Sequence, residues 1–324
     1  MMKKLIFCLL VLAGAGTFHS CQQDDVVNEA VATKGATIRA TLPGDVQSRL
    51  ALGEAVNGNF PVYWEADDKI TVEIGGETYT FSILEHDKNN ATFYCEDAPA
   101  NLPQTTVAYE FVYNSNTSGT LDCLKMKASV DTANGAIAWK DVTLEFIATS
   151  AVVEVSLPAG VSATKVSLYN STNGALIGAV TAPTDGSITD KAYMAVDATE
   201  IVGAIILAET SDKVYIAEVG QAELSAGKLY QITKEMAEAT PGAGGETDEV
   251  NVKYAVVNGN AYVYGTGAMK TGLFKKKTNI TRAVILQGVT NIAINAFSQC
   301  SNLTNVTLPN TLVKIEGGAF SNCI

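Results

Sequence analysis

Near the C-terminal end of the chain, four residue types return at one fixed interval. Ile292 and Ile315, Ala296 and Ala319, Phe297 and Phe320, and Cys300 and Cys323 each stand 23 residues apart, and Val289 and Leu312 keep the same step. A period of about 20–30 residues is too short for one unit to bury its own apolar positions, so successive units must stack as coils of a solenoid. Short stretches such as "NVTLP" (Asn305 to Pro309) supply a strand for each coil. Equivalent positions then lie over one another at the strand spacing of about 4.8 Å. That spacing is within disulfide reach of Cys300 and Cys323, so a bridge and two free thiols are both open. One complete step is spelled out and no polar cap follows it. Leu312, Ile315 and Phe320 would line an open edge, which predicts a fragment or a truncated product.

Upstream, from Ala36, the hydrophobic period is two. "TIRATL", "KITVEI", "ETYTFSI", "ATFYCE", "TVAYEFVY", "VTLEFIATSAVVEVSL", "TKVSLYN", "GAIILAET", "KVYIAEVG" and "GKLYQITK" read as short strands. Turn-rich stretches such as "NSNTSG", "DTANG" and "APTDGS" separate them. Strands at this spacing predict β-sandwiches. A break near Gly135–Trp139 divides them into residues 36–137 and 138–236. "AEATPGAGGETDEVN", residues 237–251, reads as a linker. Residues 252–324 open with Asn258-Gly259 between alternating apolar runs, the strongest short hairpin signal. The expected fold is therefore mainly β: two tandem sandwiches followed by a short, truncated solenoid.

The N-terminus carries "MMKK", then an apolar run from Leu5 to Gly16, too short to span a bilayer, and then "FHSC" ending at Cys21. This resembles a bacterial lipoprotein signal peptide over residues 1–20, although Phe18 and His19 depart from the usual aliphatic and small residues. The resemblance implies cleavage before Cys21 and acylation of its thiol, anchoring the protein to the outer membrane. Residues 21–35 form a polar tether. Its first residues, Gln22, Gln23, Asp24 and Asp25, resemble the surface-export signal of Bacteroidota lipoproteins.

"WEADDKITV" (Trp64 to Val72), "VTLEFIATSAVVEVSL" (Val142 to Leu157) and "LSAGKLYQI" (Leu224 to Ile232) resemble the fimbrillin family of Bacteroidota. That likeness implies a two-domain lipoprotein that polymerises by strand exchange or serves as a pilus anchor or tip. It also implies maturation by cleavage after a basic residue near the first strand, for which Lys34 and Arg39 are candidates. The 23-residue repeats resemble BspA-type leucine-rich repeats, with "YGTGAMKT" (Tyr264 to Thr271) matching the entry to such arrays. That likeness implies a ladder of buried free thiols at Cys300 and Cys323.

The composition excludes several functions. The net charge is −12 and only Arg39, Arg49 and Arg282 are arginines, so no footprint for nucleic acid exists. Without the leader, His86 is the one histidine, and it sits in "LEHDKNN", a turn sequence. A catalytic triad would depend on it, and zinc would need more ligands. No glycine-rich phosphate loop occurs, so no cofactor and no metal is expected. Asp67-Asp68 and Glu96-Asp97 lack calcium-loop spacing. Cys95 and Cys123 are candidates for a disulfide, with two buried thiols as the alternative. "DTA" resembles the Bacteroidota O-glycosylation motif at Thr132.

The expected function is non-enzymatic. It is a surface-exposed, lipid-anchored adhesin or pilus accessory protein that binds a host or bacterial surface protein or glycan through its repeats. Two alternatives are a fimbrial subunit joined to other subunits after cleavage near Lys34 or Arg39, and a glycan-binding outer-membrane lipoprotein.

Overall fold

The computed structural model describes residues 35–42, 64–87, 89–114, 125–184, 186–245 and 251–323. Cys21, Gln22, Gln23, Asp24, Asp25, Lys34 and Cys123 lie outside the described residues. Among those described, no helix is long and apolar enough to cross a membrane.

The first body uses ten strands: β1 (Ala36–Thr41), β2 (Lys69–Ile74), β3 (Glu77–Asp87), β4 (Asn90–Cys95), β5 (Asn101–Leu102), β6 (Tyr109–Asn114), β7 (Lys125–Val130), β8 (Ile137–Ala138), β9 (Thr143–Glu145) and β10 (Ile147–Ala148). Period-two alternation places Ile38 and Ala40 inside while Thr37 and Arg39 face out. Eight strands form one sheet in the order β10-β7-β6-β2-β3-β4-β1-β9. Its two edge strands are consecutive in the chain, joined by the buried Phe146. The sheet thus curls round almost to closure, and one sheet makes both layers of the sandwich. Trp64 lies at the centre, edge-on to Phe93, Tyr113 and Phe146 at 5.0, 5.8 and 5.6 Å. The boundary expected after Ile137 is corrected here. Trp139 packs on Phe81, Val142 to Phe146 complete the core, and β9 and β10 complete the sheet, so the first body runs to Ala148.

The second body has β11 (Ser150–Ser156), β12 (Ser162–Ala163), β13 (Lys165–Asn170), β14 (Leu176–Thr181), β15 (Ile188–Thr189), β16 (Lys191–Asp197), β17 (Thr199–Ile201), β18 (Ala204–Glu209), β19 (Val214–Val219), β20 (Ala222–Leu224), β21 (Leu229–Ile232) and β22 (Ala237–Ala239). A three-stranded sheet, β16-β11-β21, faces a five-stranded one, β14-β13-β18-β19-β22. Between them lie Val153, Val155, Met194, Val166, Leu168 and Ile206. Two strands, β11 and β18, are buried on both faces; the spelling of β18 is apolar from Ala204 to Ala208, whereas β11 carries Glu154 among its valines. On β11, Val152 turns the other way, into the first core. Its neighbour Glu154 is 3% exposed and is held by Lys191 Nζ at 2.9 Å and Gln231 Nε2 at 3.2 Å. On β18, Ile205 and Leu207 point away from the sandwich core.

The stretch read as a linker is structured at its start. β22 pairs with β19, and β23 (Gly242–Ala243) pairs with β24 (Val252–Val257). Residues 246–250 lie outside the described residues.

The third body continues with β25 (Asn260–Gly265), β26 (Gly267–Ala268), β27 (Arg282–Ile285), β28 (Val289–Ile292), β29 (Asn305–Thr307) and β30 (Lys314–Ile315). Asn258 and Gly259 have φ of 49° and 79°, the left-handed pair that a two-residue hairpin needs. From β25 the pairing turns parallel, through β27 to β29, and a second parallel column runs β26, β28, β30. Among the described residues there are three coils, one more than the spelling suggested. Met269, Leu273, Phe274 and Lys277 occupy the positions of Ile292, Ala296, Phe297 and Cys300. Phe274, Phe297 and Phe320 stack with centroids 5.0 and 5.3 Å apart. Each turn adopts left-handed φ at two fixed places: Gly272, Asn295 and Gly318 at the first, Lys276, Gln299 and Asn322 at the second. Backbone bonds tie coil to coil there, from Phe274 N–H to Ala296 O and from Phe297 N–H to Ala319 O, both 2.7 Å.

Covering by the next coil decides burial at equivalent positions. Ile292 is 0% exposed and Ile315 is 48% exposed. Removing the middle ring of the stack should therefore cost most. Phe297→Ala is expected to destabilise the protein by about 3–5 kcal/mol, and Phe320→Ala by clearly less. Urea unfolding of the two variants checks the order.

Candidate functional site

A solenoid offers a partner three surfaces: its parallel sheet, its turn edge and its second strand column. Alternation along β25 and β27 sends Ala261, Val263, Ala283 and Ile285 inward. Tyr262, Tyr264, Val284 and Leu286 point out, and all are buried. They meet Tyr169, Ile205, Leu207, Val214 and Ile216 from the outer face of the five-stranded sheet in a shared core. The second sandwich thus covers the sheet face of the repeats.

Polar bonds border this junction. Arg282 Nη1 lies 2.6 Å from Glu218 Oε1, and the Tyr262 hydroxyl donates to the same oxygen at 2.6 Å. The Ser171 carbonyl accepts from Arg282 Nη2 and Thr307 Oγ1, each at 3.4 Å. Gln287 N–H donates to Gly174 O at 2.8 Å, and Gln287 Oε1 accepts from Leu176 N–H at 2.8 Å. Gly174 is required there: at φ 65° a Cβ would stand 2.3 Å from Ile285 O. Lys253 pairs with Glu209 at 3.2 Å. Beside this pair a cleft of about 470 Å³ opens between the two bodies, lined by Lys165, Tyr169, Tyr264 and Gln287. Its lining can hydrogen-bond a polar ligand.

Burial raises the pKa of all three junction tyrosines. For Tyr262 the hydrogen bond to Glu218 adds to it, and for Tyr264 and Tyr169 the charge of Glu209 does. A raised folded pKa gives stability that is fully present below the unfolded tyrosine value of about 10, and is lost as pH rises through the folded one. Alkaline titration followed by phenolate absorbance should show these tyrosines ionising above free tyrosine, together with loss of the junction.

The turn edge carries the repeated residues. Ala296, Phe297 and Ala319 are buried, and Phe320 is half-buried. Cys300 and Cys323 are free thiols, whose S–H groups donate at 3.1 Å to the carbonyls of Phe274 and Phe297 in the preceding coil. Burial pushes the Cys300 thiol above its ordinary pKa. Ellman's reagent should accordingly label Cys323 faster than Cys300, and Cys300 at its full rate only in denaturant.

The other predicted residues are scattered. Arg39 is exposed in the middle of β1, which pairs with β4 on one side and β9 on the other. His86 is exposed near the end of β3. Cys95 is a buried free thiol, and its proposed partner Cys123 lies outside the described residues. The O-glycosylation reading at Thr132 is corrected: this residue is 1% exposed and its hydroxyl accepts the Thr105 N–H at 3.0 Å, so a glycan has no room. Asp68 is used internally, accepting from Glu65 N–H and the Tyr113 hydroxyl. Among the described residues, no group of three His, Cys, Asp or Glu could hold a metal. Trp64 and Trp139 are both buried and supply no aromatic platform for a sugar.

Comparison with known proteins agrees with the repeat geometry. Residues 268–324 match the model of the BspA type leucine rich repeat region. No curated protein matches the chain. Among solved structures, a leucine-rich repeat protein from Eubacterium ventriosum is 29% identical over 22% of this chain and 22% of its own, with a TM-score of 0.21. A fimbrial protein from Bacteroides ovatus is 10% identical over 62% of this chain and 48% of its own, with a TM-score of 0.26. The tip fimbrial protein Mfa3 from Porphyromonas gingivalis, with C-terminal truncation, is 10% identical over 63% of this chain and 98% of its own, with a TM-score of 0.23. The C-terminal segment is thus a BspA-type leucine-rich repeat carried on two β-sandwiches.

Proposed function

We propose that this protein is a surface-exposed, lipid-anchored adhesin or pilus accessory protein that binds through its repeats and performs no chemistry. Acyl chains on Cys21 hold it to the outer membrane, since more than one chain anchors stably. Gln22 to Asp25 direct it to the outside. The sandwiches form a stalk, and the repeats meet a host or bacterial surface protein or glycan, or other fimbrial subunits. One observation carries this reading: a shared apolar core fixes the repeats to the second sandwich. A body held this way presents its remaining surfaces in a fixed orientation and loses little entropy on binding. With the sheet face covered, the turn edge and the second strand column are left to present to a partner, and the turn edge carries the repeated residues.

Cys21→Ser should release the protein from the outer membrane and abolish adhesion of intact cells. Fractionation and labelled fatty-acid incorporation check this, and a Cys21→Ser chain that stays in the membrane would contradict it.

A second reading, a pilus subunit joined by strand exchange, is favoured by the position of Arg39. Cleavage after it would remove most of β1 from between β4 and β9 and leave a groove for a donated strand. The mass of surface-purified protein separates the readings, because an acylated terminus at Cys21 excludes the cleaved form.

A further inference from the structure

The charge of the chain is divided unequally. Residues 252–324 hold six lysines and one arginine against a single acid, Glu316, a net of +6. The whole chain is −12, so residues 1–251 carry −18. Such asymmetry within one chain marks an electrostatic surface. Three of the seven cations have partners at ion-pair distance: Lys253 with Glu209, Arg282 with Glu218 and Lys314 with Glu316. Lys275, Lys276 and Lys277 are consecutive and exposed, and no acid among the described residues pairs with them.

Their backbone is held firmly. Lys275 N–H donates to Gly272 O at 3.0 Å, Lys276 N–H to Ser298 O in the next coil at 2.8 Å, and Lys277 N–H to Phe274 O at 2.9 Å. Phe274, one residue before, is stacked on Phe297 beneath it. Lys276 has φ 65°, a left-handed conformation that residues other than Gly, Asn and Asp adopt at a cost, and the other coils place the amides Gln299 and Asn322 there. The turn edge therefore presents three cations beside a column of side-chain amides, on a rigid backbone. Lysines act as point charges, and the region's one arginine is already bonded to Glu218, so this edge offers single-point cationic contacts rather than a bidentate fork. No exposed aromatic among the described residues 252–323 supplies a stacking platform for bases. Point cations with amides fit a chain that bears spaced anions and many hydroxyls.

We infer that the turn edge at Lys275, Lys276 and Lys277 docks an acidic polysaccharide, one bearing carboxylate or sulfate groups. The inference rests on the reading that the repeats present the binding face, and it names the ligand class.

The test uses the full chain on immobilised polygalacturonate, chondroitin sulfate and neutral dextran. Retention is expected on one or both acidic polymers and not on dextran, and the arm that binds identifies carboxylate or sulfate. With three lysines engaged, log affinity should fall against log salt with a slope of about −2. The variant K275S/K276Q/K277Q uses at its first two positions the residues of the next coil, Ser298 and Gln299, so the turn is preserved. It should lose about tenfold in affinity with an unchanged thermal midpoint, and the triple arginine variant should bind within about twofold of the natural chain. No retention on either acidic polymer, or retention unaffected by the neutral variant, overturns the inference. So does salt-sensitive self-association through these lysines without polysaccharide binding, which would make the acidic part of a second copy the occupant. Beads coated with the chain and applied to cells separate this from the adhesion reading. Adhesion that persists without polysaccharide binding removes only the present inference, and polysaccharide binding without adhesion removes only the other.

Discussion

The structure depends on one apolar contact, the outer face of the five-stranded sheet against the outer face of the repeat sheet. Ile205, Leu207, Val214 and Ile216 on one side and Tyr262, Tyr264, Val284 and Leu286 on the other are all at most 3% exposed. Two or three coils bury little alone, and repeat arrays need neighbours or caps to be stable. Here the sandwich closes the sheet side, and the hairpin β24–β25 closes the first coil. The bordering charges, Arg282 with Glu218 and Lys253 with Glu209, position this contact more than they strengthen it, because partly exposed pairs contribute only about 0–1 kcal/mol.

That contact also decides which surfaces of the repeats stay open. In an uncovered array the parallel sheet would be open to a partner. In this protein it is spent on the sandwich, so the turn edge and the second strand column, β26-β28-β30, remain. Three exposed lysines, Lys275 to Lys277, lie on the turn edge, at the one coil where a lysine, Lys277, replaces the thiol position of Cys300 and Cys323. On the proposed reading, folding and recognition use different surfaces of the same coils.

Much of this was legible from residues alone. Asn258-Gly259 announced its hairpin, and "GAIILAET" announced a strand without showing that both its faces would be covered. The 23-residue step identified the solenoid. It undercounted the coils because Met269, Leu273 and Lys277 stand where the later coils have Ile, Ala and Cys, and only Phe274 keeps the residue type. The linker was misjudged because Gly242 and Ala243 form a ladder through backbone atoms, which composition does not encode. The boundary near Ile137 was misplaced because Trp139 and Phe146 return to a core built mostly from residues 36–128. Thr132 was misread for a similar reason: a turn sequence says nothing about whether its hydroxyl faces inward. The cationic edge was hidden in a whole-chain charge of −12, which averages two unlike parts.

Native-state hydrogen exchange tests the central claim that sandwich and repeats share one core. Amides of β18 (Ala204–Glu209) and β27 (Arg282–Ile285) should open with the same free energy, close to that of global unfolding. Exchange from β27 at a free energy several kcal/mol lower, with β18 still protected, would mean that the repeats detach as an independent unit, and would contradict the account.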